Sequence, residues 1–320
     1  MGARQPFRQG RFEELPQRPR RGHPFFETEE LRVPVQAEGW PTVLASVRRH
    51  GSGPPLLLVH GLMTSGYSWR YALDALGARF TCYVPDLPGA GRTAPIAGDY
   101  RPVGLARWLS ALIDGLAIRG CAAIGNSMGG YLAMQLALDD PSAMARLVNL
   151  HSPGLPLPRL WLLSAALEAP GSAGLLRWLV HRSPERWVHR NVHYNDESHK
   201  SLEEAEEYGR PLATVDGVRA FRSYLRDTLS PQEMNDFGAR LRRRRDAGRP
   251  FPVPLSLVYA ESDPMVPPSV GRDLAALVPG AELVWLREAS HFAHVDAPEA
   301  FVDVALGFLG APASDRVTAS

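Results

Sequence analysis

The sequence predicts an α/β fold in which a mainly parallel β-sheet is covered by helices on both faces. From about residue 55 to 150, short apolar runs of strand type alternate with helix-compatible segments, and this alternation is typical of parallel βαβ units. A glycine-flanked serine, Ser127, lies where one such strand would turn into a helix. Because ligands of open parallel sheets bind at the carboxyl ends of the strands, we expect a functional site at that edge.

The N-terminal region combines a polar extension with a strand pair. Residues 1–24 are rich in Arg, Pro and Gln, a composition that favours a flexible extension. Leu31–Ala37 and Thr42–Arg49 are predicted to pair as strands across the turn Glu38–Pro41.

The core elements follow in order. We assign residues 25–153 and 249–311 to the core and residues 312–320 to a C-terminal tail. The apolar runs predict core strands at Leu56–Val59, Cys82–Val84, Ala122–Ile124, Leu147–Leu150 and Leu255–Ala260. The segments between the first four predict helices near Tyr67–Leu76, Val103–Ile118 and Ser127–Leu138.

Strand signals vanish between residues 154 and 248. The segments there are helix-compatible and predict an inserted helical domain, with helices over Arg159–Leu167, Gly174–Val180, Leu202–Glu207, Gly217–Thr228 and Pro231–Arg245.

The segment Gly125-Asn126-Ser127-Met128-Gly129 has the pattern of a nucleophile elbow. The sharp strand-to-helix turn holds the serine in a strained backbone conformation, and only glycines two residues away leave room for it. Backbone N–H groups at the start of the helix would then point toward developing negative charge.

A serine nucleophile needs a base, and the base needs an orienting acid. Asp263 leaves a predicted strand and His291 follows later, which gives the order Ser, Asp, His. Glu261 is the alternative acid, and His294 is the alternative base. The segment after the preceding strand, up to Ser152, contains no carboxylate, which strengthens Asp263.

Five motifs follow one another along the chain: Leu56–Leu62, Asp86–Thr93, Gly125–Gly130, Ser262–Pro267 and Ser290–Phe292. In this order they resemble the motifs of the α/β-hydrolase superfamily, and the resemblance covers about residues 28 to 311.

This resemblance implies an α/β-hydrolase fold with a helical cap over residues 154–248. It also implies an oxyanion hole made by the backbone N–H groups of Leu62 and Met128, and it favours His291 over His294 as the base. His60 is expected to shape the oxyanion loop or to lie near substrate. His151 is expected either to face the substrate pocket or only to hydrogen-bond nearby.

The first part of the cap is apolar and contains Trp161. Ordinary packing on the core, an acyl-binding wall and a lid attracted to lipid all fit this composition. We count Trp161 among the candidate substrate contacts.

The predicted reaction is hydrolysis of a carboxylic ester, thioester or lactone through an acyl-enzyme, without metal or organic cofactor. Relatives that attack an alkyl carbon carry an aspartate at the elbow, so Ser127 argues against that chemistry. Carbon–carbon bond hydrolysis of the meta-cleavage type and acyl transfer are alternatives on the same residues. A small-molecule receptor on this scaffold is the non-enzymatic alternative.

Composition restricts the class of partner. A net charge of +1 gives no field that would attract nucleic acid or acidic membranes. The sequence contains no run of 18 apolar residues and no signal peptide, so we expect a cytoplasmic protein without a transmembrane segment.

Cys82 and Cys121 are expected to be buried free thiols. His189 and His193 have i,i+4 spacing without an evident third metal ligand. The oligomeric state stays open.

Overall fold

The computed structural model describes residues 7–310, so the predicted C-terminal tail over residues 312–320 and the first six residues of the predicted extension lie outside it. Within the described residues, eight strands form one sheet. In chain order they are β1 Glu29–Val35, β2 Val43–His50, β3 Pro55–Val59, β4 Thr81–Pro85, β5 Cys121–Asn126, β6 Met144–Leu150, β7 Leu255–Ala260 and β8 Glu282–Leu286.

The spatial order of the strands is β1-β2-β4-β3-β5-β6-β7-β8. The pairs β1–β2 and β2–β4 are antiparallel. The strands from β4 to β8 are parallel to one another. This arrangement confirms the predicted mainly parallel sheet and the predicted N-terminal strand pair. It also places the ends of β3, β5, β6 and β7 along one edge.

Helices cover both faces of the sheet. Those of the core are α1 Leu73–Gly77, α2 Pro102–Gly115, α3 Met128–Asp139, α10 Pro268–Leu277, α11 Ala293–Asp296 and α12 Pro298–Gly310. The segment predicted as a helix near Tyr67–Leu76 is a 3-10 turn over Gly66–Trp69 followed by the short α1.

Two apolar clusters lie on opposite faces of the sheet. In β3, Leu57 and Val59 belong to one cluster, whereas Leu56 and Leu58 belong to the other, as the alternation of side chains along a strand requires. All four side chains are buried. A strand that is apolar at consecutive positions is therefore stable only with helices on both sides.

The cap follows β6 and ends before β7. Its helices are α4 Pro158–Glu168, α5 Ser172–His181, α6 Pro184–Asn191, α7 Leu202–Gly209, α8 Val215–Ser223 and α9 Pro231–Asp246, with a π-helical turn at Tyr224–Thr228. The sequence reasoning missed α6. Its start signal is Pro184 at the first helical position after Ser183, a common arrangement at helix N-termini. None of the helices in residues 7–310 is long and apolar enough to cross a membrane.

The cap is attached to the core through a buried ion pair. Arg70, which follows the 3-10 turn after β3, donates to Glu204 of α7, and both side chains are buried. Tyr194 also donates to Glu204, at 2.7 Å. Separating the partners of a buried pair leaves an uncompensated charge and is strongly destabilising, so this contact fixes where α7 sits on the core.

The segment before β1 lies against the cap. Backbone N–H groups of Leu202 and Glu203 donate to the carbonyls of Pro16 and Gln17 at 2.9 and 3.0 Å. His23 lies 3.0 Å from the Glu203 carboxylate. A freely extended chain does not account for these contacts over residues 7–24, and the predicted flexibility of the extension stays a prediction.

Candidate active site

Ser127 lies at the turn between β5 and α3. Its backbone has φ 53° and ψ −121°, a conformation that non-glycine residues rarely adopt. A Cβ on Gly125 would come within 2.6 Å of the main chain of Gly129, and one on Gly129 within 2.3 Å of the Val59 carbonyl. The elbow therefore requires glycine at both positions, as the sequence pattern indicated.

His291 and Asp263 form a buried pair. The Nδ1 of His291 lies 2.7 Å from Oδ2 of Asp263, and the two side chains are 3% and 0% exposed. Oδ1 of Asp263 accepts from the backbone N–H groups of Met265 and Val266 at 2.6 and 2.9 Å. With Nδ1–H donating to the carboxylate, Nε2 of His291 is left with a lone pair that can accept a proton.

The environment of Asp263 stabilises its ionised form. Burial by itself raises the pKa of this carboxyl, but the charge and hydrogen bond of His291 and the backbone donor at Val266 outweigh burial and hold the pKa at about 2. Asp263 is therefore a carboxylate at neutral pH, as an orienting acid must be.

Asn126 connects the elbow to the histidine loop, a role that the sequence reasoning missed. Its Nδ2 donates to the backbone carbonyl of His291 at 3.0 Å. The backbone N–H of Ser127 donates to the carbonyl of Leu150 at 2.7 Å. These bonds join the end of β5 to the end of β6 and to the loop that carries the histidine.

Leu62 and Met128 lie next to Ser127, and both line the same cavity. Met128 is the first residue of α3, and the first N–H groups of a helix have no partner within the helix. Met63, after Leu62, has φ 61°. An oxyanion hole made by these two backbone segments stays a prediction.

His60 stabilises the loop that carries Leu62. Its Nδ1 lies 2.8 Å from the Gly61 carbonyl, and its Nε2 accepts from the backbone N–H of Leu87 at 3.0 Å. Burial lowers the pKa of His60 to about 4, so the ring is neutral at physiological pH. Both nitrogens are engaged by main chain, which fits the loop-shaping role.

A cavity of about 280 Å³ opens beside Ser127 and His291. Apolar side chains from the cap and from the core loops form most of its wall, and Arg159 is the one charged cap residue among them. The cap residues of this wall are Leu157, Arg159, Leu160, Leu163, Trp187, Asn191, Val192, Phe221, Leu225 and Leu229. A pocket of this kind suits an apolar ligand held over a small polar centre.

The residues predicted to contact substrate, His60, His151 and Trp161, are not on the wall of this cavity. His60 lines a smaller cavity together with Leu62 and Met128, and contact of these residues with substrate stays a prediction. His151 is buried with φ 55°, and its Nε2 accepts from the backbone N–H of Ala260 at 2.7 Å. Burial lowers the pKa of His151 to about 3. Trp161 is 44% exposed, because its side chain lies about 100° around α4 from that of Leu160, which points inward.

The rival acid and base lie elsewhere. Glu261 is half exposed and lies 3.6 Å from Arg287. His294 is fully buried against Trp69, with ring centroids 4.4 Å apart. Burial lowers the pKa of His294 well below its usual value. Within residues 7–310, no group of three or more His, Cys, Asp or Glu side chains is arranged to hold a metal ion.

The comparisons with known proteins identify the family of this fold. A family model described as alpha/beta hydrolase fold matches residues 54–298. The pimeloyl-[acyl-carrier protein] methyl ester esterase of Aeromonas hydrophila is 28% identical over 270 residues, which are 83% of this chain and 99% of that protein.

Two solved structures show the same fold. The thermophilic esterase of Thermogutta terrifontis has a TM-score of 0.69 at 19% identity, with 88% of this chain and 98% of that chain covered. The meta-cleavage product hydrolase CumD has a TM-score of 0.65 at 21% identity, with the same coverage of both chains. These likenesses extend to different bond-cleaving chemistries, so they establish the fold alone.

Proposed function

The chain belongs to the alpha/beta hydrolase fold family and is a hydrolase, and we propose that it cleaves a small or medium carboxylic ester, thioester or lactone through an acyl-enzyme on Ser127. The observation that carries the proposal is the placement of His291. Its Nδ1 side is held by Asp263, and its ring lines the cavity that Ser127 also lines. A base oriented in this way on the same cavity wall as a half-buried serine is the arrangement that acyl transfer requires.

The mechanism has two acyl-transfer steps. Nε2 of His291 takes the proton of the Ser127 hydroxyl as the oxygen attacks the substrate carbonyl, and Asp263 stabilises the imidazolium that forms. The backbone N–H groups of Leu62 and Met128 bind the oxyanion, each contributing roughly 10²–10³ in rate. The imidazolium then protonates the leaving alcohol or thiol. In the second step His291 activates water, which releases the acid and regenerates the hydroxyl.

The cavity supports an acyl chain as the part of the substrate that the enzyme recognises. Its wall is mostly aliphatic and aromatic, and burial of each methylene contributes about 0.8 kcal/mol. The relative from A. hydrophila is named as an esterase for a methyl ester of an acyl-carrier-protein conjugate. An ester of an acyl chain longer than acetate is therefore the substrate class that we propose.

A fluorophosphonate probe tests the proposal directly, because it labels only a serine that is activated as a nucleophile. We expect the wild-type protein and the control variant Ser164→Ala, which changes a cap serine outside the cavity wall, to label equally. Ser127→Ala should not label. Turnover of p-nitrophenyl esters of increasing chain length should then rise from acetate to a medium-chain optimum.

Other outcomes would point to different chemistry. A folded wild-type protein that neither labels nor hydrolyses any ester would contradict the proposal. In a second outcome, the protein labels and yet cleaves a carbon–carbon bond in a ring-fission product instead of an ester. That result would assign meta-cleavage hydrolysis in place of ester hydrolysis. Acyl transfer to an added alcohol in preference to water would identify an acyltransferase.

A further inference from the structure

Two cap helices expose large apolar side chains on one surface. On α4 these are Trp161 and Leu162, and on α5 they are Leu175, Trp178 and Leu179. Leu162 is 75% exposed, and the other four are 43% to 58% exposed. The two helices pack against each other, and we call these five exposed side chains together the outer cap face. A contiguous exposed apolar surface usually marks an interaction site.

Nothing within residues 7–310 covers the outer cap face. Leu160 and Leu163 of α4 line the active-site cavity, while Trp161 and Leu162 point outward, so α4 is apolar on both sides. On α5, the three exposed side chains at positions 175, 178 and 179 have i,i+3,i+4 spacing and lie on one face of the helix. A helix that is apolar all round is stable when both sides are covered.

Basic side chains border the outer cap face. Arg177 of α5 and Arg182 just after it are exposed, and Glu168 is the single acidic residue between positions 158 and 182. Arg159 is also exposed, but it donates to the Met265 carbonyl beside the active-site cavity. The guanidinium of Arg182 lies over the Trp178 ring, 5.7 Å from its centroid. This local excess of positive charge contrasts with a net charge of +1 for the whole chain.

A groove of about 540 Å³ adjoins the face between α5 and α8. Arg177, Arg219, Arg222 and Arg226 contribute to its wall. Asp216 pairs with Arg219, and Asp227 pairs with Arg226. Neither Arg177 nor Arg222 has a carboxylate partner within residues 7–310. Arg222 donates instead to the carbonyl of Leu167 at 2.6 Å. Arg177 is therefore the groove arginine that is best placed to meet an anion beside the apolar surface.

We propose that the outer cap face docks on the surface of an anionic lipid bilayer, with the basic groove next to the lipid headgroups. Tryptophan side chains are favoured at the boundary between hydrocarbon and water, and arginines beside them bind headgroup phosphates. A second copy of the chain fits less well, since a two-fold contact through this face would bring the same arginines together.

The location of the face has a consequence for substrate delivery, which rests on the proposed esterase function. The inner side of α4 lines the cavity that contains Ser127, and the exposed Arg159 lies at the same wall. Docking through the outer side of this helix would bring the cavity next to the bilayer. The ester would then be an acyl compound that partitions into lipid.

The test is sedimentation of the full-length protein with vesicles of phosphatidylcholine, with and without phosphatidylglycerol. We expect the protein to bind the mixed vesicles and to release at high salt. Leu162→Glu and Trp178→Glu should each weaken binding by about tenfold or more, because a charge replaces an inserted apolar side chain. Arg177→Gln should weaken it by about fivefold, the effect of about 1 kcal/mol per basic residue.

Matched controls separate docking from damage to the fold. Leu44→Glu changes a leucine on β2 that is 59% exposed outside the face, and Arg243→Gln removes an exposed arginine of α9. Both should bind vesicles like the wild type. All variants should keep the Ser127-dependent hydrolysis of a short soluble ester, so that loss of docking is distinguishable from loss of the catalytic site.

Several results would overturn the proposal. Wild-type protein that does not bind either kind of vesicle excludes a lipid surface. Equal weakening by Leu44→Glu and Leu162→Glu excludes this particular face. A dimer in solution that Leu162→Glu dissociates, without vesicle binding by the wild type, assigns the face to a second copy. Binding of an acidic acyl carrier protein that Arg177→Gln abolishes, again without vesicle binding, assigns it to a protein partner.

Discussion

Replacing Asp263 by asparagine would test the assignment of the acid most sharply, because the change keeps the shape of the side chain and removes its charge. Two backbone N–H groups, those of Met265 and Val266, point at Oδ1. The carbonyl oxygen of an asparagine would have to stay at that position. The reversed amide would leave two buried N–H donors without acceptors, at a cost of about 1–3 kcal/mol each.

The asparagine would therefore present its NH₂ group to Nδ1 of His291, 2.7 Å away in the wild type. Nδ1 would have to accept this hydrogen bond, so the ring proton would move to Nε2. A protonated Nε2 cannot take the proton from Ser127. We expect kcat to fall by roughly 10³–10⁴, as a wrong tautomer does in serine protease triads, which corresponds to about 4–5.5 kcal/mol of activation free energy.

The assay is the steady-state hydrolysis of a p-nitrophenyl ester, with thermal unfolding to show that the variant folds. Glu261→Gln is the matched control, since it neutralises the rival acid two residues away, which is half exposed. It should keep near wild-type activity. An Asp263→Asn enzyme within tenfold of wild-type kcat, or a larger loss in Glu261→Gln, would refute the assignment.

Three further predictions concern stability. Gly125→Ala should destabilise the protein by about 1–3 kcal/mol in denaturant titrations and abolish probe labelling, because the added Cβ would lie 2.6 Å from main chain. The control Gly174→Ala places its Cβ where nothing lies within 4 Å, so it should not destabilise the protein. Arg70→Met should cost about 3–5 kcal/mol in the same titrations by leaving Glu204 unpaired, and the double variant with Glu204→Leu should recover part of that loss. Burial raises the pKa of Asp296 to about 7, so its contribution to stability is fully present below pH 4 and is lost as the pH rises toward 7. Asp296→Asn should flatten the melting temperature across that window.

The sequence was sufficient for the fold because the core is organised by local rules. Apolar runs such as Leu56–Val59 need cover on both faces, and the strained Ser127 needs glycines at fixed distances. Both requirements are visible in the residue order. The order of Ser127, Asp263 and His291 along the chain is likewise a property of the topology, since each follows the end of a different strand.

The substrate contacts could not be predicted in the same way. Trp161 and Leu160 are neighbours in the sequence, yet one is exposed and the other lines the cavity. Because α4 is apolar on both sides, its periodicity carries no signal for which side faces Ser127. His151 follows a core strand as expected, but its positive φ turns the ring back toward the main chain of β7. Asn126, inside the elbow motif, has a role only because the histidine loop lies beside it in space.

The two apolar sides of α4 connect the active-site cavity with the outer cap face. An amphipathic cap helix would have its apolar side on the core and its polar side in water, and it would need no further partner. Helix α4 instead places Leu160 and Leu163 on the cavity and Trp161 and Leu162 in solvent. Packing over the nucleophile explains the inner pair but leaves the outer pair without a physical reason. The exposure of Trp161 and Leu162 therefore requires its own explanation, and docking on an anionic bilayer next to the arginine-lined groove supplies one. Variants of residues remote from Ser127 can test this docking without changing the catalytic site.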